Sequence, residues 1–219
     1  MAITASDVKS LRESTGAGMM DCKKALTESG GDMEKAVVWL RERGIAKAAK
    51  RGDKVAAEGA VHSYIHMGGK VGVMAEINCE TDFVARGDEF QNLCKDICLQ
   101  ICSTAPLAVT RDELDPEVVA KEKDLYVKQA AETGKPQEIC EKIAEGKLKK
   151  WFSEVCLMDQ GFVKDPDKTI DQLATELSGK VGEKITVRRF TRYQLGEGIE
   201  KVESNFADEV AAELKKAEG

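Results

Sequence analysis

Two histidines and seven cysteines are the side chains of this sequence best suited to metal or nucleophilic chemistry. His62 and His66 are four residues apart. On a helix that spacing would let both reach one metal ion. On a strand they share a face but stand roughly 13 Å apart, at ~3.3 Å per residue. The flanking residues read as a strand, which argues against chelation by this pair. Cys94, Cys98 and Cys102 recur at i, i+4 and i+8, on the same side as Leu93, Ile97 and Ile101. Free cysteines at such positions pack as small hydrophobes. A zinc site wants four ligands converging from more than one element, and no CxxC occurs. Cys22 and Cys79 have no base beside them in the sequence. The remaining cysteines, Cys140 and Cys156, complete an odd set without a disulfide-like spacing, which predicts reduced thiols. Gly68-Gly69-Lys70 is too short for a phosphate loop, and Gly16-Ala17-Gly18 lacks the rest of a dinucleotide fingerprint. The sequence therefore points to no catalytic residue, metal ligand or cofactor. It predicts a binding protein, not an enzyme.

Binding chemistry is better represented. Asn78-Cys79-Glu80-Thr81-Asp82-Phe83-Val84-Ala85-Arg86 follows an alternating apolar run and precedes a helical pattern. A large apolar Phe beside an acid at such a junction has two readings. Thr81 or Asp82 caps the helix while Phe83 staples it to the core, or Phe83 points outward as a wedge for a partner. Met19 fits an inward stripe with Cys22, Ala25 and Leu26. Met20 falls beside Lys23, Lys24 and Thr27 on the polar face, where a flexible thioether suits an adaptable protein contact. Lys147-Leu148-Lys149-Lys150-Trp151-Phe152 places basic beside aromatic residues. Nucleic acid binding by charge and stacking is one use, but core aromatics with a solvated lysine face is the simpler reading. Strand alternation sends Arg188 and Arg192 to one side and Arg189 to the other, toward a partner's carboxylates or into edge protection and internal pairs.

The elements that must position these groups follow from periodicity and punctuation. Charged residues make up 33% and aromatics 5%, which suits a helix-rich chain with a thin aromatic core. A net charge of −6 argues against a general nucleic-acid binder. No apolar run reaches ~18 residues and the N-terminus has no export pattern, so neither membrane insertion nor export is expected. Residues 1–45 read as three short helices, the first capped by Ser6 and stopped at Gly16, the second from Gly18 or Met19 to Gly30-Gly31. The third is capped by Asp32, draws on Met33, Val37, Trp39 and Leu40 for burial, and stops at Gly44. Residues 46–58 form a basic linker. Gly59–His66 and Val71–Ile77 make a hairpin around Gly68-Gly69, with Val71, Val73, Ala75 and Ile77 on one face. Phe90 to Ser103 is a helix. Asp115-Pro116 opens a helix to about Thr133, and another runs from Gln137 toward Asp159, so that about 117–159 forms an antiparallel helical hairpin. Thr169–Ser178 is helical, Ile185–Tyr193 is a third strand, and Asn205 caps a last helix within 205–219. The fold class is α+β. A three-helix bundle of the ubiquitin-associated kind precedes a core at 59–204, with a three-stranded antiparallel sheet, covering helices and the inserted hairpin.

Three blocks in order carry a resemblance. Val8-Lys9-Ser10-Leu11-Arg12-Glu13-Ser14-Thr15-Gly16-Ala17-Gly18-Met19-Met20-Asp21-Cys22-Lys23-Lys24-Ala25-Leu26 looks like the opening signature of the translation elongation factor Ts family. Asn78 to Arg86 resembles its central block. Ile185-Thr186-Val187-Arg188-Arg189-Phe190 and Gly196-Glu197-Gly198-Ile199-Glu200-Lys201-Val202 resemble its closing segment. The resemblance implies guanine-nucleotide exchange on elongation factor Tu during protein biosynthesis in the cytoplasm. It implies that Thr81, Asp82, Phe83 and Val84 disturb the partner's Mg²⁺ site, and that Met19, Met20 and Lys23 belong to the surface docked on the partner's nucleotide-binding domain. Longer members carry the sheet module twice, whereas this chain has one copy, so the resemblance also implies pairing of two chains, unless the helical hairpin covers the free sheet face. The rival reading from another class is a ubiquitin-associated-type adaptor, binding a peptide through its first 45 residues.

Overall fold

The computed structural model describes residues 3–66 and 68–199. The helix expected within 205–219 lies outside the described residues. Helices α1 (Ala5–Thr15), α2 (Met19–Glu28) and α3 (Met33–Ala49) pack around Val8, Leu11, Cys22, Ala25, Leu26 and Ala36. Thr4, not Ser6, caps α1. Its hydroxyl accepts the Asp7 N–H at 3.2 Å, and the Asp7 carboxylate accepts the Thr4 N–H at 2.9 Å. This reciprocal box satisfies two donors, which a lone serine cannot do. The helix stops at Gly16 as expected, with φ of 65°. Asp32 caps α3, accepting from the Lys35 N–H at 3.1 Å.

Helix α3 does not stop at Gly44 but runs on to Ala49. Gly44 is helical there, and its carbonyl oxygen packs against the bare backbone of Gly179, a tertiary contact that outweighs the weak helix preference of glycine. The segment expected to be linker thus begins as helix. Met33 and Val37 are exposed, while Trp39 and Leu40 pack on the bundle core.

The hairpin forms from β1 (Glu58–Ile65) and β2 (Val71–Cys79), with Gly68 and Gly69 both at positive φ. A four-residue helix, α4 (Asp82–Ala85), precedes α5 (Asp88–Thr104). Asp115 and Pro116 open α6 (Pro116–Ala131), which packs on α7 (Gln137–Val155) as a helical hairpin. The last turn toward Asp159 is not α-helix: Cys156 is extended, and Leu157–Asp159 form a 3₁₀ turn. A small hairpin, β3 (Gly161–Phe162) with β4 (Asp165–Thr169), leads into α8 (Ile170–Val181) and β5 (Thr186–Gln194). The β3–β4 hairpin has no counterpart in the sequence reading.

The sheet order is β1-β2-β5, antiparallel throughout. Strand β2 is central, and Val73, Ala75, Ile77 and Cys79 face inward. They pack on Phe90, Leu93, Cys94, Ile97, Cys98 and Ile101 of α5, with Leu157, Ile170 and Val187 closing the core. Full burial of side chains such as Phe90 or Ile97 contributes about 1.5–3 kcal/mol each.

A register shift between Glu76 and Ile77 breaks the alternation expected of β5. Glu76 lies opposite Arg189, Ile77 opposite Val187, and Arg188 is the extra residue. Arg188 and Arg189 therefore do not diverge. Both donate to Glu76, at 2.7 Å each, and Arg188 then Arg189 hold that carboxyl below the ordinary carboxylate range. Arg192 Nη2 reaches Gln194 at 2.8 Å. Among the described residues no helix is long and apolar enough to cross a membrane.

Candidate functional site

Strand β2 ends at Cys79, and the chain turns sharply through Glu80 and Thr81 into α4. Thr81 caps this turn: its hydroxyl accepts the Val84 N–H at 3.4 Å, and its carbonyl accepts the Ala85 N–H at 3.2 Å. The Cys79 thiol donates to the Thr81 carbonyl at 3.1 Å, from inside the core. Ala85 is buried and Val84 packs against the main core, so the short helix is nailed down on one side. Gly87 then starts α5.

Phe83 sits on the other side of α4 and is 84% exposed. The staple reading is thereby overturned. Val84 and Ala85 occupy the inward positions of the single turn, which leaves Phe83 only the outward one. Asp82 is also exposed and pairs with Arg86 at 2.9 Å. Two exposed partners contribute little to stability, so Asp82 is free to change partners.

The turn is held by two carboxylates absent from the sequence reading of this site. Glu183, 102 residues beyond Thr81, accepts the Glu80 N–H at 3.1 Å and the Thr81 N–H at 3.0 Å on one oxygen, and the Thr81 hydroxyl at 2.7 Å on the other. Glu80 points the opposite way. It accepts the Lys184 N–H at 2.7 Å and pairs with Arg51 at 3.1 Å. The Lys184 ammonium in turn donates to the Gly52 carbonyl at 2.6 Å. No local pattern marks Glu183, because its partners lie on the other side of α5 to α8 in the chain.

The second expected surface lies on α2. Met20 is 77% exposed and Lys23 is exposed beside it. Met19 is 57% exposed and does not join the inward stripe. It is the first residue of α2, and Cys22, Ala25 and Leu26 supply the buried face. Asp21 pairs with Lys47 of α3 at 2.7 Å. Arg41 of α3 reaches Glu176 of α8 at 3.2 Å, alongside Lys168 at 2.8 Å. The cleft of about 640 Å³ between these helices is lined by charges that pair with one another.

The groups weighed for other chemistry fall elsewhere. All seven cysteines are free and buried. Burial, with the neighbouring Cys98 and Cys79, pushes the Cys94 thiol up to about 12, and burial pushes Cys98 to about 11. Cys79 is raised by burial and then by the Glu183 charge. Such thiols are poor nucleophiles and poor ligands at neutral pH. His62 lies on β1 opposite Ala75, and His66 contacts Tyr64 Oη through Nδ1 at 3.2 Å. Among the described residues no group of three or more His, Cys, Asp or Glu side chains converges on one point. Trp151 and Phe152 pack with Ala108, Leu114 and Cys156, and Lys147 lies over the Tyr126 ring at 5.6 Å.

The family model described as Elongation factor TS matches residues 32–197. An Elongation factor Ts of Desulforamulus reducens is 56% identical over 213 residues, covering 97% of this chain and 98% of that protein. Those of Geobacter sulfurreducens, at 56% over 212 residues, and Heliobacterium modesticaldum, at 54% over 214 residues, cover 97% and 98% of this chain. The matched stretch spans the Asp82-Phe83 turn, Thr81 and Glu183; the chain belongs to the elongation factor Ts family.

Proposed function

We propose that this protein is a guanine-nucleotide exchange factor for elongation factor Tu and serves translation elongation in the cytoplasm. The observation that carries the reading is the exposure of Phe83 on a turn that is otherwise firmly held. A single exposed apolar side chain is ordinary on a protein surface, but a large aromatic ring held outward on a rigid turn is the kind of side chain that anchors an interface. Membership of the elongation factor Ts family supports the choice of partner.

Linkage states what exchange requires. A factor that binds nucleotide-free Tu more tightly than Tu·GDP weakens GDP by the same ratio. Each ~1.4 kcal/mol of differential affinity gives a tenfold effect. The lever acts best where the partner holds phosphate and Mg²⁺, since the ion is among the largest charges of such a site. In this reading Phe83 inserts between elements of the partner, and Asp82 brings negative charge or an acceptor beside them. Thr81 and Val84 fix the turn. Met19, Met20 and Lys23 form a second contact, on a bundle of the ubiquitin-associated kind at 1–45, joined by a linker to a core at 59–204. Two chains pair through the free face of the sheet. The adaptor reading leaves the matched stretch 32–197 largely without a role, since most of it lies beyond the first 45 residues.

The decisive experiment is release of labelled GDP from purified Tu with and without this chain. Release at the spontaneous rate, at every concentration of the chain, would overturn the reading.

A further inference from the structure

We propose that Glu183 is a positioning residue for nucleotide exchange, acting through the Asp82-Phe83 turn; this rests on the wedge reading of Phe83. The turn follows the end of a strand and has one helical turn of its own. Four residues of helix cannot hold a direction by backbone bonds alone. Something outside the segment must fix where Phe83 points.

Val84 and Ala85 hold one side of the turn on the core, and Glu183 fixes its entry. The Glu183 carboxylate takes three hydrogen bonds from two consecutive residues: the N–H of Glu80, and both the N–H and hydroxyl of Thr81. Hydrogen bonds to an ionised acceptor are about twice as strong as neutral ones. They also fix direction, because both oxygens are engaged and the carboxylate plane sets where Thr81 sits. Glu80 returns the arrangement by accepting from the N–H of Lys184, the residue next to Glu183. The two acids thus cross over between the end of β2 and the loop that follows α8. A single bond would leave a hinge, whereas the crossed pair resists rotation of the turn.

Position matters more than presence for such a wedge. Displacing a reacting group by about 1 Å can cost an enzyme on the order of a hundredfold in rate, and a side chain that must enter a fixed gap meets a geometric demand of the same kind. Loss of Glu183 leaves Phe83 exposed and chemically unchanged, on a helix held only by the packing of Val84 and Ala85 and by the Thr81 cap, so its direction is less closely fixed.

The test measures GDP release from Tu over a range of factor concentrations, with the variants Glu183→Ala, Glu183→Gln, Phe83→Ala and the double Phe83→Ala/Glu183→Ala. Glu183→Ala is expected to lower the maximal release rate roughly ten- to a hundredfold. The concentration giving half the maximal rate should move much less, because the α2 surface is intact. Glu183→Gln keeps a carbonyl oxygen for the Glu80 and Thr81 N–H groups and should restore most of the rate. In the Phe83→Ala background, Glu183→Ala should add almost nothing, since residues acting through one another are not additive.

Equal slowing by Glu183→Ala with and without Phe83 would overturn the positioning role. So would an unchanged rate for Glu183→Ala while Phe83→Ala slows release, which leaves the wedge reading standing. An unchanged rate for Phe83→Ala itself would overturn the wedge reading and this inference together.

Discussion

Gly44 and Gly179 meet backbone to backbone where α3 crosses α8: a Cβ added to Gly179 would stand 2.5 Å from the Gly44 carbonyl oxygen, whereas one added to Gly44 would find only the Gly179 Cα, at 3.9 Å. The two substitutions should therefore differ in sign. Gly179→Ala forces the helices apart and should destabilise the chain by about 1–3 kcal/mol. Gly44→Ala adds ordinary contact and removes a helix-interior glycine, so it should be neutral or stabilising by about 0.5–1 kcal/mol. Urea unfolding of both variants checks the difference. Equal destabilisation would mean that Gly44 is as tightly packed as Gly179, and no destabilisation by Gly179→Ala would mean that the crossing is looser.

Phe83→Ala should leave the thermal midpoint unchanged, because the ring touches little of its own chain. Truncating an anchoring aromatic costs an interface about 2 kcal/mol or more. Release of GDP from Tu should fall accordingly, by roughly thirtyfold at equal factor concentration. A lowered midpoint with normal release would return Phe83 to the core.

Much of this arrangement was legible in the sequence. Val73, Ala75 and Ile77 alternate as a half-buried strand must, and Phe90, Leu93, Ile97 and Ile101 recur as one helix face must. Asp115-Pro116 and Gly16 mark helix ends by local chemistry alone. What escaped was tertiary. Gly44 looked like a stop because the helix continues through it by packing on α8, some 130 residues away, where Gly179 receives the Gly44 backbone. The bulge at Arg188 depends on a partner strand more than a hundred residues upstream. The β3–β4 hairpin has no apolar alternation to betray it, with Asp165, Pro166, Asp167 and Lys168 in its second strand. At the site, the Thr81 cap and the Phe83 choice could be posed from sequence. Glu183 could not be found, because its three bonds link segments with no shared local pattern.

Met20→Asp and Lys23→Glu should each weaken complex formation with Tu while the bundle stays folded. Both side chains are exposed, and neither belongs to the set Val8, Leu11, Cys22, Ala25, Leu26 and Ala36 that holds the bundle together. Surface substitutions of this kind usually stay within about 0.5 kcal/mol in stability. Titration calorimetry with nucleotide-free Tu measures the effect. Unchanged affinity for both variants would remove this face of α2 from the contact.

The buried thiols give a pH dependence with a definite sign. Cys94 and Cys98 stay neutral in the folded chain to about 12 and about 11, while an unfolded cysteine ionises near 8.5. Above roughly pH 8.5 the unfolded state therefore holds fewer protons than the folded one, and stability falls as pH rises. Below that pH both states are neutral and the contribution is constant. Urea midpoints from pH 7 to 10 should decline on the alkaline side, and a thiol reagent at pH 8 should react with the folded chain far more slowly than with the unfolded one. Rapid labelling of Cys94 or Cys98 in the native protein would contradict their placement.

The isolated protein should self-associate through the outer face of its sheet. Val61 and Ile65 of β1, Met74 of β2 and Tyr193 of β5 are all exposed there. The register sets Ile65, Gly72 and Tyr193 in one row and Ser63, Met74 and Thr191 in the next, so the apolar side chains adjoin across strands. The α6–α7 hairpin was the alternative cover, but its apolar side packs with Ala108, Leu114 and Cys156, and the sheet residues remain open. Glu76 sits on the same face, and its neutralisation by Arg188 and Arg189 lowers the cost of covering it. A stable pair needs about 800 Å² from each partner, so loops flanking the three strands must join the contact. Light scattering should give twice the chain mass of 23.9 kDa, and Met74→Lys should return it to a single chain without lowering the thermal midpoint by much. A single-chain mass into the tens of micromolar would mean that this face is covered in some other way.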